Sequence, residues 1–299
     1  MTPRHPLARL FPPWGRDDLD IEGRERLANI LGVPLNELDV IRLGPRYHYR
    51  PMTRAKPDGR ERRVLAPSPA LKTLQRRFLN GYLDAVRPHP AAKAFHRGGS
   101  TVAHVLPHSR SRLIAAVDLR DFFESTRGGR VARWLSAQGW GREAVRILTR
   151  LCVYRDGLPQ GAPTSPSLSN LVNHRLDERL SLLTRRTGGV YTRYGDDLAF
   201  SWDEDRLPDG FKAAVEDALA RSGYEIQPLK DWRMGATRDG FELVGLVLRG
   251  DGRVRVPRPL RWRATLLHWR ALLGRDPVTN ARASGLNGYL KMVDRGRGM

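Results

Sequence analysis

Two adjacent carboxylates lie in the middle of an otherwise apolar stretch. Asp196 and Asp197 follow Tyr194-Gly195, with Val190-Tyr191 before them and Leu198-Ala199-Phe200 after them. Neighbouring acids between apolar strands are costly to place unless a cation neutralises them, and glycine at 195 permits a tight turn. The pattern predicts a hairpin that presents both carboxylates to a divalent cation, with Mg²⁺ favoured because it prefers carboxylate and phosphate oxygens. An ordinary surface turn is the alternative, since Gly-Asp pairs are common in turns.

A third acid, Asp118, ends the apolar run Leu113–Val117 and is followed by Leu119-Arg120-Asp121-Phe122-Phe123. Two-metal phosphoryl transfer needs carboxylates that converge from separate strands. Asp118 supplies the carboxylate from a second strand that the Asp196–Asp197 turn lacks. One ion would activate an attacking 3′ or 2′ hydroxyl, and the other would hold a nucleotide triphosphate and its leaving pyrophosphate. We interpret Asp121 as a solvated or salt-bridged acid, and Phe122 and Phe123 by default as core aromatics.

A loop of small residues and prolines, Leu158 to Pro166, opens a helix predicted from Ser165. Such a loop forms a rigid shelf close to a ligand, and a helix N-terminus favours phosphate. Ser165 as cap and Pro166 in the first turn are also ordinary signals of a helix start. That alternative explains the end of the motif but not Gln160-Gly161.

The surrounding elements alternate between strands and helices, and the hairpins predict an antiparallel sheet, so the fold class is α+β. The expected helices are 23–31, one through Leu71 to Tyr82, two within 131–151 around a break at 139–141, one long helix over 165–183, 211–219, 260–273 and 279–293. The expected strands are 46–67 with a turn at 57–59, 113–119, the hairpin 190–202, and a hairpin over 241–256 that turns at 250–252.

The chain carries 52 Lys+Arg against 32 Asp+Glu, a formal net charge of +20. Such a charge draws polyanions, and arginine suits phosphate binding and base stacking, so RNA or DNA is the expected partner. A solvated basic surface is the alternative. Near the end of the sequence, arginines interleave with Trp262 and Trp269. We expect the arginines to bind nucleic acid, and we interpret Trp262, Leu266 and Trp269 as core residues. The arginines are Arg253, Arg255, Arg258, Arg261, Arg263 and Arg270.

One cysteine, Cys152, excludes an internal disulfide and a cysteine-based zinc site. We expect a cytoplasmic protein with neither a signal peptide nor a membrane span. His104 and His108 stand four residues apart, but a zinc site would need further ligands and Pro107 disfavours a helix. We expect these histidines to pack against backbone or to face RNA.

The three motifs, in this order and spacing, resemble the palm of reverse transcriptases, and the resemblance runs from about Tyr47 to Val293. It implies a right-hand polymerase with an N-terminal extension (1–45), fingers (46–116), a palm of antiparallel sheet and helices (117–250) and a small helical thumb (251–299). It also implies that Asp118, Asp196 and Asp197 hold two Mg²⁺ ions, for which Mn²⁺ can substitute.

The resemblance assigns further roles. Phe123 falls where the family keeps a bulky gate against the ribose 2′-hydroxyl, and Gln160 and Gly161 fall in the loop that lines the nascent base pair. Lys56, Asp58-Gly59 and Arg62 resemble the fingers segment that contacts the triphosphate. Lys230, after Gly223-Tyr224-Glu225-Ile226, could protonate pyrophosphate. Residues 241–247 resemble the primer-grip hairpin.

Among the branches of the family, the chain looks most like bacterial retron reverse transcriptases. Three motifs depart from that group: Gly195 replaces the usual alanine, His104-Val105-Leu106-Pro107-His108 replaces Asn-Ala-x-x-His, and Leu243-Val244-Gly245 replaces Val-Thr-Gly. The resemblance implies synthesis of multicopy single-stranded DNA from a structured RNA primed at a 2′-hydroxyl, with deoxynucleotide triphosphates as substrates, in antiphage defence beside an effector protein encoded nearby.

Three alternatives stay open. Viral RNA-dependent RNA polymerases share the Gly-Asp-Asp turn, but they typically carry an acid at the position of Phe123 and a different loop at 160–166. A non-retron bacterial reverse transcriptase is the second, although 299 residues would not hold the maturase extension of an intron protein. An RNA-binding defence scaffold with a degenerate palm is the third, and the intact aspartates argue against it.

Overall fold

The computed structural model describes residues 18–43, 48–55, 61–228, 231–273 and 277–295. The chain forms two compact units: the first comprises Met1–Pro88 and Asp121–His174, and the second His89–Arg120 and Arg175–Met299. Within the described ranges, no helix combines the length and the apolar character needed to cross a membrane.

The helices and strands largely follow the sequence-based expectation. The helices are α1 (Asp18–Leu31), α2 (Leu35–Leu43), α3 (Pro69–Gly81), α4 (Thr101–Val105), α5 (Phe122–Ser125), α6 (Gly128–Ala137), α7 (Arg142–Cys152), α8 (Ser165–Val172), α9 (His174–Arg186), α10 (Phe211–Arg221), α11 (Arg258–Leu273) and α12 (Pro277–Arg295). The strands are β1 (Tyr49–Ala55), β2 (Glu61–Pro67), β3 (Leu113–Asp118), β4 (Val190–Tyr194), β5 (Asp197–Trp202), β6 (Arg233–Ala236), β7 (Phe241–Leu243), β8 (Leu246–Leu248) and β9 (Val254–Arg255).

The first unit is helical around one apolar core, with the β1–β2 hairpin as its only sheet among the described residues. Helix α3 begins where Ser68 accepts a hydrogen bond from the Leu71 amide and Pro69 fills the first turn, which is favourable helix-start chemistry. Phe78 is fully buried and stacks on Tyr82, with ring centroids 5.6 Å apart. The buried Gln75 donates to the Leu151 carbonyl at 2.8 Å and thereby ties α3 to α7.

The second unit contains a four-stranded sheet in the order β4-β5-β3-β6, in which every pairing is antiparallel. Strand β3 is buried along its whole length, as an apolar central strand should be. A second sheet, β7-β8-β9, packs in another apolar core that also buries Val102, Val105 and Val293. The α+β class and the antiparallel sheet are therefore confirmed; the division into 1–45, 46–116, 117–250 and 251–299 stays a prediction.

The single helix predicted over 165–183 is wrong, because α8 ends at Val172 and α9 begins at His174. The buried Asn173 between them donates its side-chain amide to the Ser169 carbonyl at 2.8 Å and accepts from Arg130 at 2.7 Å. Asparagine side chains offer the backbone such local alternatives to a continuous helix.

The hairpin predicted over 241–256 is a three-stranded sheet. A tight turn at Val244 (φ 44°) and Gly245 (φ 77°) joins β7 to β8, with the two positive φ values that two-residue hairpin turns require. Residues 223–226 form no regular strand; Ile226 makes one isolated bridge to Leu119. The turn predicted at 57–59 lies outside the described residues.

The interpretation of Trp262, Leu266 and Trp269 as core residues is wrong. Their exposed fractions are 75, 54 and 59 %. Helix α11 packs against α12 and buries Ala264 instead. A small residue at this position allows the two helices to approach closely.

His104 and His108 are buried and neither faces solvent nor forms a metal centre. His108 joins both strands of the acidic hairpin, with Nδ1 2.7 Å from Ser201 Oγ and Nε2 2.7 Å from Thr192 Oγ1. Thr192 Oγ1 also lies 2.8 Å from Nδ1 of His104. The burial of both histidines agrees with the packing role predicted for them, although their ring nitrogens contact side-chain hydroxyls and not backbone, and it contradicts the predicted RNA contact. Burial lowers the pKa of His108 to about 3 and that of His104 well below its ordinary value.

Acid should therefore destabilise the protein through these histidines. The unfolded chain binds protons on them near pH 6.5 whereas the folded chain does not, so the free energy of unfolding falls as pH drops from about 6.5 towards 4, by up to about 1.4 kcal/mol per pH unit and histidine. Urea unfolding of wild type and of His108→Gln at several pH values measures this. We expect a shallower pH dependence in the variant; equal slopes would contradict it.

Candidate active site

The acidic hairpin is formed by β4 and β5, with Tyr194 paired to Asp197 across the turn. Gly195 has φ +66°, and a Cβ there would lie 3.2 Å from the Phe95 ring. Glycine therefore supplies both the left-handed conformation and the close approach. The Leu119 amide donates to the Asp196 carbonyl at 2.9 Å and anchors the turn beside the end of β3.

Strand pairing brings Asp118 opposite Asp197, because these two residues are register partners at the ends of β3 and β5. Asp118 is buried, Asp197 half-buried and Asp196 exposed. Burial, a hydrogen bond with the Asp118 side chain, and the negative charges of Asp118 and Asp196 raise the pKa of Asp197 to about 8, while the charge of Arg233 opposes the shift. Two of the three predicted ligands therefore lie next to each other, and their proximity disfavours a negative charge on Asp197.

The donor set suits a hard divalent cation. Magnesium and manganese take carboxylate oxygens, and a cation between Asp118 and Asp197 would offset the repulsion between the two carboxylates. No set of three or more acidic, histidine or cysteine side chains in the described part of the chain is already arranged as a metal centre. Carboxylates on adjacent strands could hold two cations for phosphoryl transfer.

The Gln160-Gly161 loop lies in the first unit and packs on β2. The Gln160 carbonyl accepts from the Leu65 amide at 2.7 Å. Gly161 has φ +127°, and a Cβ there would come within 2.6 Å of Val64 Cγ1 and 2.7 Å of the Leu65 carbonyl. Only glycine fits this position, so the glycine of the motif is explained by its contact with the hairpin.

Phe123 is half-buried and packs against the core of the first unit, with its ring 5.4 Å from that of Phe122. Its default interpretation as a core aromatic agrees with this position, and its role as a gate stays a prediction. Lys56 and Lys230 lie outside the described residues, and so do the side chains of Arg62 and Arg270.

The remaining arginines of the predicted nucleic-acid surface belong to the second unit. Arg255 pairs with Asp251, and Arg261 with Asp294 at 3.0 Å. Arg253, Arg258 and Arg263 are exposed. A cavity of about 450 Å³ is lined by Val247, Arg249, Arg255, Val256, Pro257 and Arg258.

Three residues in or near the acidic hairpin were not predicted from the sequence. Arg233 on β6 acts on Asp197 through its charge, and Arg193 and Asp177 form a fully buried ion pair at 2.7 Å. An arginine within the buried strand pattern of β4 was the one available signal, and nothing local identified its partner sixteen positions earlier.

Comparison with known proteins defines the class of this fold and site. A family model for reverse transcriptase (RNA-dependent DNA polymerase) matches residues 55–247, a segment that contains all three aspartates. The chain belongs to the reverse transcriptase family, and membership implies dependence on a divalent metal.

Relatives within the family are retron reverse transcriptases. The chain is 30 % identical over 318 aligned residues to the retron Mx162 reverse transcriptase of Myxococcus xanthus, covering 93 % of this chain and 65 % of the relative. It is 34 % identical to the retron Mx65 enzyme of the same organism (83 and 62 %) and 36 % identical to the retron Ec86 enzyme of Escherichia coli (52 and 49 %). The resemblance to the retron type is confirmed; the chain spans less than two thirds of the length of these relatives.

A solved structure of apo telomerase from Candida tropicalis, truncated from its C-terminal domain, shows a weaker likeness. The TM-score is 0.48 at 10 % identity, covering 71 % of this chain and 55 % of the telomerase.

The adjacent carboxylates of Asp118 and Asp197 predict that Mg²⁺ changes the melting temperature of the protein. In the metal-free protein, Asp197→Asn should melt at or above the wild-type temperature, because it removes one of two adjacent carboxylates. Millimolar Mg²⁺ should raise the melting temperature of the wild type, since ligands that bind the folded state stabilise it, and should leave Asp197→Asn nearly unchanged.

Asp121→Asn is the matched control, because Asp121 is an exposed acid of the first unit. It should keep the Mg²⁺ response. An equal response in Asp197→Asn would show that the cation binds elsewhere.

Proposed function

We propose that this chain is an RNA-directed DNA polymerase that uses two divalent cations, Mg²⁺ by preference with Mn²⁺ as a substitute, held by Asp118, Asp196 and Asp197. The observation that carries the proposal is the register of β3 and β5, which sets Asp118 opposite Asp197 within the segment that matches the family.

The cations, when bound, supply charge stabilisation and a more acidic attacking hydroxyl. The chain's own residues do the rest. Asp118 and Asp197, which end β3 and begin β5, would hold the cations together with Asp196, which is exposed at the Gly195 turn. Arg233 adds positive charge beside Asp197, where phosphate charge accumulates.

Further roles follow from matching motif positions. Phe123 excludes the ribose 2′-hydroxyl, and Gln160 and Gly161 line the nascent base pair. Lys56 and Arg62 contact the triphosphate, and Lys230 donates a proton to pyrophosphate. In this proposal the chain is divided into fingers (46–116), palm (117–250) and thumb (251–299), with residues 1–45 as an extension.

We assign the template to a structured non-coding RNA, from which the chain makes multicopy single-stranded DNA in antiphage defence, beside an effector protein encoded nearby. The support is the similarity to three retron enzymes. The same cation pair can activate a 2′-hydroxyl, so priming inside the RNA needs no extra catalytic group.

The RNA surface is assigned to α11 and the segment before it. Trp262 and Trp269, seven positions apart, point out from the helix and are more than half exposed. Arg258 and Arg263 lie exposed beside them, and Arg249 and Arg258 line the cavity before the helix. Exposed aromatics beside arginines suit unpaired bases with their phosphates.

The first test is DNA synthesis. Purified protein with Mg²⁺, deoxynucleotides and an RNA template should extend a primer, and Asp196→Asn or Asp197→Asn should reduce the rate by about 10²-fold or more, since a cation contributes several kcal/mol of charge stabilisation. Asp121→Asn is the control and should stay active. Wild-type rates in both ligand variants would contradict the assignment.

Sugar selection is tested at Phe123. Replacement by alanine should increase the ratio of ribonucleotide to deoxynucleotide incorporation, because removing the ring makes room for the 2′-hydroxyl. Phe122→Ala is the matched control, because Phe122 is the buried neighbour and should lose stability without a change of ratio. An unchanged ratio in active Phe123→Ala would place the gate elsewhere, and a wild type that prefers ribonucleotides would favour the RNA polymerase alternative.

The proposed RNA surface is tested by measuring the affinity for RNA at several salt concentrations. Trp262→Ala with Trp269→Ala should weaken binding of unpaired RNA by about 1–3 kcal/mol for each stacked base without changing the slope of log K against log salt. Arg258→Gln with Arg263→Gln should make the slope shallower by about 0.7 for each lost phosphate contact. Leu182→Ala, an exposed apolar residue of α9, is the control. Unchanged affinity in the tryptophan variant would remove the stacking role.

A further inference from the structure

A charged side chain lies fully buried three residues before Asp196. Arg193 belongs to β4, lies opposite Leu198 in the register of β4 and β5, and has no exposed surface. An isolated buried cation is prohibitively costly. Its position inside the hairpin that carries two catalytic carboxylates therefore requires compensating contacts, and the structure supplies them from three directions.

The first contact is a two-pronged ion pair with α9. Arg193 Nε donates to Asp177 Oδ1 at 2.8 Å, and Nη2 donates to Asp177 Oδ2 at 2.7 Å. Asp177 is itself fully buried and accepts a third hydrogen bond from the Tyr191 hydroxyl at 2.9 Å. The two parallel hydrogen bonds fix the plane of the guanidinium. They also attach β4 to α9.

The second contact reaches the turn. Arg193 Nη1 donates to the Gly195 carbonyl at 3.2 Å. That carbonyl belongs to the peptide that joins Gly195 to Asp196, so the guanidinium limits rotation of the peptide plane that carries the acidic pair. The other side of Asp196 is held by the hydrogen bond from the Leu119 amide to its carbonyl.

The third contact holds the free edge of β4. The Arg193 amide donates to the Ala91 carbonyl at 2.8 Å, and the Lys93 amide donates to the Arg193 carbonyl at 2.7 Å. Arg193 is thus bonded through its side chain to α9 and the turn, and through its backbone to residues 91–93.

Stability alone gives no reason for this arrangement. Replacing a buried ion pair by apolar residues of similar volume is often neutral or stabilising, because desolvation offsets much of the Coulombic attraction. An apolar pair, however, could not donate to the Gly195 carbonyl. A requirement for geometry at the turn explains the presence of a guanidinium.

We propose that Arg193 and Asp177 are positioning residues: the pair orients the Gly195–Asp196 peptide so that Asp196 and Asp197 present their carboxylates to the divalent cations. The proposal rests on the proposed function for the identity of the reaction, and it concerns cation binding as well as the rate. Neither residue touches substrate.

The test removes both buried charges together with the Tyr191 hydroxyl that bonds to Asp177, so that among these side-chain contacts only the Gly195 carbonyl loses its donor. The combined variant Arg193→Met, Asp177→Leu and Tyr191→Phe should fold and melt near or above the wild-type temperature. Its dissociation constant for Mn²⁺, measured by electron paramagnetic resonance of the free ion without nucleic acid, should rise about tenfold. Its kcat for primer extension should fall by one to two orders of magnitude, since a misplacement of about 1 Å costs about 10²-fold. Binding of the template RNA should be unchanged.

Arg193→Lys supplies a second variant. It keeps the positive charge beside Asp177 but cannot donate to both the carboxylate and the Gly195 carbonyl, so its Mn²⁺ affinity should also fall. The matched control is Arg221→Met with Asp217→Leu, which removes an exposed ion pair of α10 in the same unit and should leave Mn²⁺ affinity at the wild-type value.

Two results would overturn the proposal: a folded combined variant with wild-type Mn²⁺ affinity, whatever its kcat, or a combined variant that does not fold, which would make the pair a requirement of folding itself. Failure of the proposed function would look different. The wild type would then bind Mn²⁺ without extending any primer, and the Mn²⁺ comparison would still decide the role of Arg193.

Discussion

The structure of the second unit depends on placing two carboxylates side by side at the buried end of a sheet. Asp118 and Asp197 are register partners on β3 and β5, and their mutual repulsion in a partly desolvated site opposes folding. A slip of one residue would send every side chain of the strand to the opposite face. The continuous burial of β3 and its pairing on both edges therefore act to hold one register against an unfavourable charge.

Buried hydrogen bonds and ion pairs fix the position of a strand along the sheet, which apolar packing leaves undetermined. Apolar side chains specify which face of a strand is buried, but they tolerate small shifts along the sheet. Hydrogen bonds do not tolerate such shifts, because their energy weakens steeply when the distance or the angle departs from the preferred geometry. His108 joins β4 to β5 through Thr192 and Ser201, and Arg193 joins β4 to α9 through Asp177. The acidic hairpin is thus tied on both strands to the structure behind it.

The first unit places its elements in another way. Its interior is an extended apolar core, and the Gln160-Gly161 loop is placed by close backbone contact. Gly161 touches β2 at a distance that no Cβ would allow, so the loop and the β1–β2 hairpin form one surface. In the first unit, the absence of a side chain at Gly161 allows the close contact that positions the loop. In the second unit, we assign the positioning role to the buried Arg193–Asp177 pair.

The sequence by itself determined the local features: the hairpin at Gly195, the strand ending in Asp118, the loop at Gln160-Gly161 and the α+β class. Each is a short pattern whose periodicity or turn chemistry is set by neighbouring residues. Only the tertiary structure decided the partner of Arg193, the burial of His104 and His108, and the exposure of Trp262 and Trp269. These depend on which distant elements meet, and a helix of mixed composition such as α11 can turn either its tryptophans or Ala264 inward. The helix that packs against α11 determines which face of α11 is buried, and the local sequence pattern does not specify that partner.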